Sequence, residues 1–426
     1  MDIKGINVLI DGMNLEMIQG TGIKSYAITL IQALKLLGAN INVLISKHSF
    51  LSDTTMNTDV FALFQEMPQR SFKMRNYIFF LKTIMGIAHR ANSATIPQHL
   101  IITKDVHQFK FIDDATLYSC HGCYQLADII SNYGFKVKVA TSKKVHIWHT
   151  TYFTPIILPN TIKITTIHDI IPLRLPYATL DDKSVFIKNI RDALKNSQLI
   201  ICVSENTRND LVNFFDVDPQ KLFVTYQPVR MSSTPINHED CLRKLNFFNL
   251  TYKNYILFVG SIEPKKNLKR LFEAYQSLGV KIPLVIVGKK AWLWKDEIQG
   301  IKPKSGIKLL HFVPDSYLPS LYQGALCFIF PSLYEGFGLP PLEAMHLGCP
   351  VAVSNTSSLP EVCGDSALYF DPYDTSDMAN KIVQMIEDNH LRESLIKAGY
   401  LQSQKFSMEN YAKRLSQAYQ KVLHVE

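Results

Sequence analysis

The sequence predicts an α/β protein of two Rossmann-like, doubly wound domains facing each other across a cleft. Three observations carry this. Short apolar runs alternate with helical patterns in each half, the signature of parallel sheets built from β-α-β units. One polar stretch, Gln227 to Glu239, has two prolines and no periodicity, and the alternation stops there and restarts after it. Every apolar run of the second half ends in a glycine, proline or charged loop. Those loops gather on one sheet edge, where open α/β sheets bind ligands.

In chain order, Gly5 to Asp11 (GINVLID) reads as a buried parallel strand ended by Gly12-Met13-Asn14. Gln19 to Ile23 is a glycine turn. Helical spacing follows from Lys24 to Leu37, with Tyr26, Ile28, Leu30, Ile31, Leu34 and Leu37 on the apolar side. Asn40 to Ser46 is a second strand. Gly20 and Gly22 lack the third glycine of a dinucleotide fingerprint. Ser49 to Thr141 shows no regular pattern. Lys144 to Trp148 and Lys163 to Ile167 read as strands, the second ending in His168-Asp169-Ile170-Ile171-Pro172-Leu173. A histidine there sits at a ligand-binding edge; a loop-capping histidine is the equal alternative. Asp181 to Asn196 reads as a helix and Gln198 to Val203 as a strand, with Ser204 as N-cap of the next helix. Asp216-Val217-Asp218 has the spacing of a metal-binding carboxylate pair, but Pro219 and a strand from Lys221 to Tyr226 make it a loop.

After the linker, strands are predicted at Tyr255 to Val259, Leu284 to Val287, Ile307 to Phe312, Ala325 to Phe330 and Pro350 to Ser354. Helices are predicted at Leu268 to Leu278, Leu318 to Gln323 and Ser358 to Val362, with a helix-rich region from Thr375 to Leu423. The first of these strands runs into Gly260-Ser261-Ile262-Glu263-Pro264-Lys265-Lys266-Asn267. The fourth runs into PSLYEGFGLPPLEAMHLGCP, Pro331 to Pro350. There a glycine loop, Glu335 to Leu339, precedes a predicted helix from Leu342 to His346, with Glu343 in its first turn. A lone glutamate at a helix start usually complements the dipole, and a lone lysine pair usually lies in a solvated loop. Together on successive strand ends, they read as a binding edge. Lysines and N–H groups suit a diphosphate. A carboxylate suits ribose hydroxyls, and a second carboxylate with glycine backbone suits a sugar.

The chain has 426 residues, 47% hydrophobic and 19% charged, which favours two well-packed domains. No run of about 18 apolar residues predicts a membrane span. Met1 to Gly5 has no signal-peptide layout, and seven cysteines fit a reducing compartment. Cys120-His121-Gly122-Cys123 is a lone CxxC without a second pair at zinc spacing, and reads as loop cysteines. A cytoplasmic protein is expected. Net charge is +8. Met67 to Lys104 holds Arg70, Lys73, Arg75, Lys82, Arg90 and Lys104, with no acid, among aromatic and aliphatic residues. That predicts peripheral contact with an anionic membrane, or an ordinary amphipathic helix. No motif accompanies the charge that would point to nucleic acid.

Glu335 and Glu343 in PSLYEGFGLPPLEAM, together with FVGSIEPKKNL (Phe258 to Leu268), HDIIPLRLP (His168 to Pro176), the Gly20/Gly22 turn and LYFDPYD (Leu368 to Asp374), resemble glycosyltransferase family 4. Its members are retaining enzymes of GT-B fold. The resemblance covers the second half and both ends of the first, and omits about Ser49 to Thr141. It implies that Glu335 contacts the transferred sugar and Glu343 the ribose. Lys266 would bind the diphosphate with help from Lys265, and Gly336, Phe337, Gly338 and Leu339 would offer backbone contacts. His168 would lie near the sugar, and Gly22 near the phosphate or acceptor. Ser261 stands where many members carry an arginine, so one diphosphate cation is missing or replaced. Neither a metal nor another cofactor is implied, and the mechanism implied is same-face displacement without a covalent intermediate. Expected domains are 1–228 for the acceptor, 229–404 for the donor, and 405–426 as a helix crossing back to the first. EPKKN and GKKAWL look most like mannosyltransferases of bacterial surface polysaccharides, with GDP-mannose as donor and a glycan or lipid-linked glycan as acceptor. A UDP-linked glucose or N-acetylhexosamine donor is the runner-up. An epimerase, a phosphorylase or a non-catalytic protein on the same fold are the more distant alternatives.

Overall fold

The computed structural model of the chain describes residues 3–17, 22–46, 74–95, 115–131, 133–231, 237–302 and 304–423. The first half is built on an eight-stranded sheet. Its spatial order is Leu222–Val224, Leu199–Cys202, Ile162–Ile167, Ile147–Thr150, Asn7–Asp11, Asn40–Ile45, Thr116–Ser119 and Asn92–Thr95. All neighbours are parallel except the last pair. A six-stranded, all-parallel sheet carries the second half. Its order is Ile307–Leu310, Leu284–Val287, Ile256–Val259, Cys327–Phe330, Val351–Ser354 and Leu368–Phe370. Helices cover both sheets, so the central strands are apolar throughout, as in LIIC, ILFV, LVIV and CFIF.

Several boundaries depart from the sequence reading for physical reasons. The first helix begins at Gly22 rather than Lys24. The strand expected at Lys144 to Trp148 is Ile147–Thr150. Its polar end is tolerated inside because each group is satisfied: His149 Nδ1 meets the Tyr419 hydroxyl at 2.6 Å and its Nε2 meets Thr166 Oγ1 at 2.8 Å. The helix after the linker, His238–Phe247, has only Cys241 and Leu245 buried, too few apolar positions to show as a period. Asn237 caps it, so the linker ends before Glu239. Of the two cysteines read as loop residues, Cys120 lies in the loop after the strand Thr116–Ser119 and Cys123 opens the helix Cys123–Ser131; both are buried. Of the basic stretch 67–104, residues 67–73 and 96–104 lie outside the described residues. The rest includes the helix Met74–Ile84.

The helix expected from Leu342 starts at Leu339, with Gly338 as N-cap at φ 110°. Prolines at the second and third helical positions cost no hydrogen bond, because the first-turn N–H groups have no intrahelical partner. Two consequences correct the expectation. Glu343 lies in the second turn, and the prolines remove two of the N–H donors that a helix start offers an anion.

The last helix, Met408–Leu423, packs against Gly22–Leu36 of the first half. The Tyr411 ring lies 6.5 Å from that of Tyr26 in an edge contact. The Tyr419 hydroxyl reaches His149 in the middle of the first sheet.

Candidate active site

In the second sheet the strand order reverses between Ile256–Val259 and Cys327–Phe330, which are direct neighbours. A crevice opens at such a reversal, outside the carboxyl ends of the strands. The two strands that flank it lead into the lysine turn and the glycine loop. Pro264–Lys266 forms a single 3-10 turn, ended by Asn267 in the left-handed region at φ 58°. The Asn267 amide donates to the carbonyls of Pro331 (3.1 Å) and Pro372 (2.8 Å). The Leu333 N–H donates to the Lys265 carbonyl at 2.8 Å. The two loops are thus pinned together.

Pinning brings Lys266 onto Glu335. Their side chains form a buried ion pair, with Lys266 also over the Phe330 ring at 4.8 Å. Burial pushes the Glu335 carboxyl up, but Lys266 and Lys265 outweigh it and hold the group below the ordinary carboxylate range. Lys265 is disfavoured by burial, and Glu335, Asp169 and Glu263 more than restore its charge. Ser261 supplies no cation: its hydroxyl donates to Glu263 at 2.6 Å, and Glu263 lies 3.6 Å from the Lys265 ammonium.

Glu343 stands apart from this pair. Its carboxylate accepts from the Tyr322 hydroxyl at 3.1 Å and feels Arg230 of the linker. Burial dominates and lifts its pKa to about 7. Tyr322 and Arg230 were not legible as partners, because both act over long sequence separations.

The glycine loop is shared between the halves. A Cβ on Gly336 would lie 2.2 Å from the His168 carbonyl oxygen and 3.1 Å from Asp169 Cβ. The Gly336 carbonyl accepts from Ser204 Oγ at 2.7 Å, and the Ser358 hydroxyl contacts the carbonyls of Glu335 (3.0 Å) and Phe337 (2.7 Å). The Phe337 side chain is buried against Tyr226 and Phe406 and anchors the loop from behind. Leu339 belongs to the helix. Gly22 is exposed at the start of its helix, with open space around it, one turn before Tyr26.

His168 follows Ile162–Ile167. Its Nε2 meets the Thr151 carbonyl at 2.9 Å, so that nitrogen carries the proton. Burial lowers its pKa to about 4, leaving a neutral ring with Nδ1 unprotonated. Tyr26 holds the ring edge-on at 4.8 Å. Sequence reasoning did not single out Asp169, which is half-buried, accepts the Ile171 N–H at 3.0 Å and lies in electrostatic reach of Lys265 and Glu335. Its signal was its place beside His168 at a strand end. Asp11 was also passed over. It ends the first strand, and its carboxylate takes the Thr151 N–H and hydroxyl, tying the two strands where the first sheet reverses. Asp218 of the DxD spacing caps the turn Pro219–Lys221. Among the described residues, no group of three or more potential metal ligands occurs, and no helix is long and apolar enough to cross a membrane.

The arrangement offers two ammonium groups, a charged buried carboxylate, a second carboxyl poised near neutrality and a neutral imidazole on the facing edges of two doubly wound units. Comparison with known proteins agrees with this chemistry. Residues 245–402 match the family described as "Glycosyl transferases group 1", and residues 115–232 match "Glycosyltransferase Family 4". The O-antigen chain mannosyltransferase B of Escherichia coli is 35% identical over 273 residues, 62% of this chain and 71% of that protein. The serotype-specific mannosyltransferase WbdA of the same species is 29% identical over 257 residues, 58% of this chain but only 32% of that longer protein. Among solved structures, a sucrose-phosphate synthase from Thermosynechococcus elongatus superposes with TM-score 0.66 at 17% identity, covering 99% of this chain and 100% of that one. Two facing parallel sheets of GT-B type and relatives of this kind make the chain a member of the family 4 glycosyltransferases.

Proposed function

We propose that the chain transfers a hexose, with retention of anomeric configuration, from a nucleotide sugar to a glycan or lipid-linked glycan in the assembly of a surface polysaccharide. The observation that carries the reading is the buried Lys266–Glu335 pair at the strand-order reversal, facing His168 from the other sheet. Glu335 takes hydroxyls of the transferred sugar, and Gly336 to Leu339 present backbone to it. Glu343 takes the ribose hydroxyls, and Lys266 and Lys265 take the diphosphate. Lys265 supplies the charge that Ser261 lacks. The C1–phosphate bond breaks while the acceptor oxygen bonds to C1 on the same face, and the departing phosphate oxygen receives the acceptor's proton. Lysines aimed at that oxygen stabilise its growing charge, so this scheme gives a metal ion no role. His168, neutral and donating through Nε2 to Thr151, orients rather than charges the sugar site.

The domain reading follows: 1–228 for the acceptor, 229–404 for the donor, 405–426 as a strap between them. The names of the E. coli relatives and the EPKKN and GKKAWL segments favour GDP-mannose. The work is done at the inner face of the membrane, with 67–104 in peripheral contact. In the helix Met74–Ile84, Tyr77, Ile78, Leu81 and Ile84 are solvent-exposed, with Lys82 among them. Sedimentation with anionic vesicles but not neutral ones checks the contact.

A thermal-shift panel of GDP-, UDP- and ADP-linked mannose and glucose tests the donor, since a ligand that binds only the folded form raises its melting temperature. GDP-mannose is expected to give the largest rise. A larger rise with a UDP sugar moves the donor to that class, and no rise with any of them overturns the reading.

A further inference from the structure

The helix Glu205–Phe214 of the first half starts against the glycine loop of the second, and its first turn binds two functional segments at once. Ser204 Oγ donates to the Gly336 carbonyl at 2.7 Å, and Thr207 Oγ1 donates to the His168 carbonyl at 3.0 Å. The turn is itself held by a carboxylate from the other half. Glu361, on the short helix Leu359–Cys363, accepts the Glu205 N–H through Oε1 at 2.7 Å and the Asn206 N–H through Oε2 at 3.0 Å. First-turn N–H groups have no intrahelical partner, and a carboxylate at a helix N-terminus is favoured by charge as well.

A third donor converges on the same carboxylate, the Tyr226 hydroxyl. Tyr226 lies in the crossing from the first half to the second, where the Val229 N–H donates to the Phe406 carbonyl at 2.9 Å. Its backbone is left-handed, φ 54°, a conformation that a bulky side chain rarely adopts. Such a conformation persists only where the surroundings fix it. Here Phe337 and Phe406 flank the ring at 6.2 and 5.6 Å, and Arg414 lies over it at 4.5 Å. On the other side of Glu361, Ser357 Oγ accepts the Glu335 N–H at 2.9 Å, and the Ser358 hydroxyl bonds the Glu335 and Phe337 carbonyls.

We propose that Glu361 is a positioning residue for the transfer reaction, setting the register of His168 against Glu335 across the cleft. The inference rests on the reading above that these two flank the transferred sugar. The segment from Ser357 to Glu361 holds the Glu335 loop at one end and the first half at the other. Without the carboxylate, the turn that carries Ser204 and Thr207 loses its anchor, and the His168 and Gly336 backbones lose their common support.

The test uses the full-length chain and two probes, GDP-mannose and UDP-glucose, with release of the nucleoside diphosphate as the rate. Hydrogen exchange at Glu205 and Asn206 is read alongside by mass spectrometry. Glu361→Ala is expected to lower kcat about tenfold or more, with KM for the sugar nucleotide within about threefold. Exchange at the two amides should quicken about tenfold or more. Glu361→Gln keeps one acceptor oxygen and should restore part of both. Where Glu361→Ala does not fold, Glu361→Gln takes its place. Tyr226→Phe should lower kcat less than Glu361→Ala and add nothing to it in the double variant, because both act through one carboxylate. An unchanged kcat, a loss confined to KM, unchanged exchange, or additive losses in the double variant overturns the assignment. Release from neither sugar by the wild type removes the donor reading instead; quickened exchange in Glu361→Ala then upholds the positioning contact, and unchanged exchange overturns it.

Discussion

Ser204 and Gly336 meet across the cleft, the serine hydroxyl donating to the glycine carbonyl at 2.7 Å. Ser204 also caps the helix Glu205–Phe214, accepting from the Thr207 N–H. The contact has company. Glu361 accepts the N–H groups of Glu205 (2.7 Å) and Asn206 (3.0 Å), and the Tyr334 hydroxyl joins Asn206 to the buried Asp210, which is paired with Arg174. The loop carrying Glu335 is therefore held by the first half as firmly as by its own.

Gly336→Ala tests whether that closeness matters to turnover. The added methyl would sit 2.2 Å from the His168 carbonyl, so the halves must separate. Displacement of about 1 Å at a reacting centre costs on the order of a hundredfold in rate. Turnover is expected to fall by that order, while the nucleotide dissociation constant, measured by titration calorimetry, stays within about threefold. An unaltered turnover number would show that catalysis does not use this contact.

The Lys266–Glu335 pair makes a contrasting prediction about stability. Each of Lys266→Met and Glu335→Gln should lose about a hundredfold or more in turnover. Removing one partner of a buried pair costs about 3–5 kcal/mol, because the other charge is left uncompensated. The double variant leaves no lone charge. Urea unfolding should find it more stable than Lys266→Met alone, and a double variant that is less stable than both singles contradicts the burial argument.

Glu343 gives a pH signature. Burial raises its pKa to about 7, so the free enzyme holds it largely protonated at pH 6. The ionised form accepts both ribose hydroxyls, whereas the protonated form keeps only part of that acceptor capacity. Nucleotide affinity should therefore fall as pH drops below about 7, approaching tenfold per unit. Near pH 6, calorimetry in buffers of different ionisation enthalpy should record proton release on binding. Glu343→Gln should flatten the profile and abolish the release.

Tyr419→Phe removes the partner of His149 Nδ1 in the middle of the first sheet. A buried group left unsatisfied costs about 1–3 kcal/mol. A lower unfolding midpoint is expected by chemical denaturation. The thermal rise given by a saturating nucleotide should persist, since Tyr419 lies behind the sheet edge that forms the cleft.

The second half was legible because its strands are uniform. Leu284–Val287 and the helix Leu268–Leu278 lie where the sequence placed them, since each is a fully buried apolar face bounded by glycine or proline. Ser204 was legible as a cap for a local reason, a hydroxyl between a strand and a helix. Its second bond, to Gly336, spans a sequence separation of 132 and leaves no local trace. The same holds for Arg230 beside Glu343 and for Asp169 behind Gly336. Thr116–Ser119 and Asn92–Thr95 were missed because one is flanked by mixed polar residues and the other, NSAT, has no apolar period at all.

The last helix carries a consequence for how the protein is made. Tyr411 and Tyr419 complete the core around Tyr26 and His149, which belong to the first half of the chain. During synthesis that half emerges from the ribosome early, but its interior stays open until residues near 419 have been translated. Domains generally fold as units in the order of synthesis. Here the first to emerge is the last to be finished, so the nascent first half must wait, with His149 Nδ1 unpartnered, while the whole second half folds.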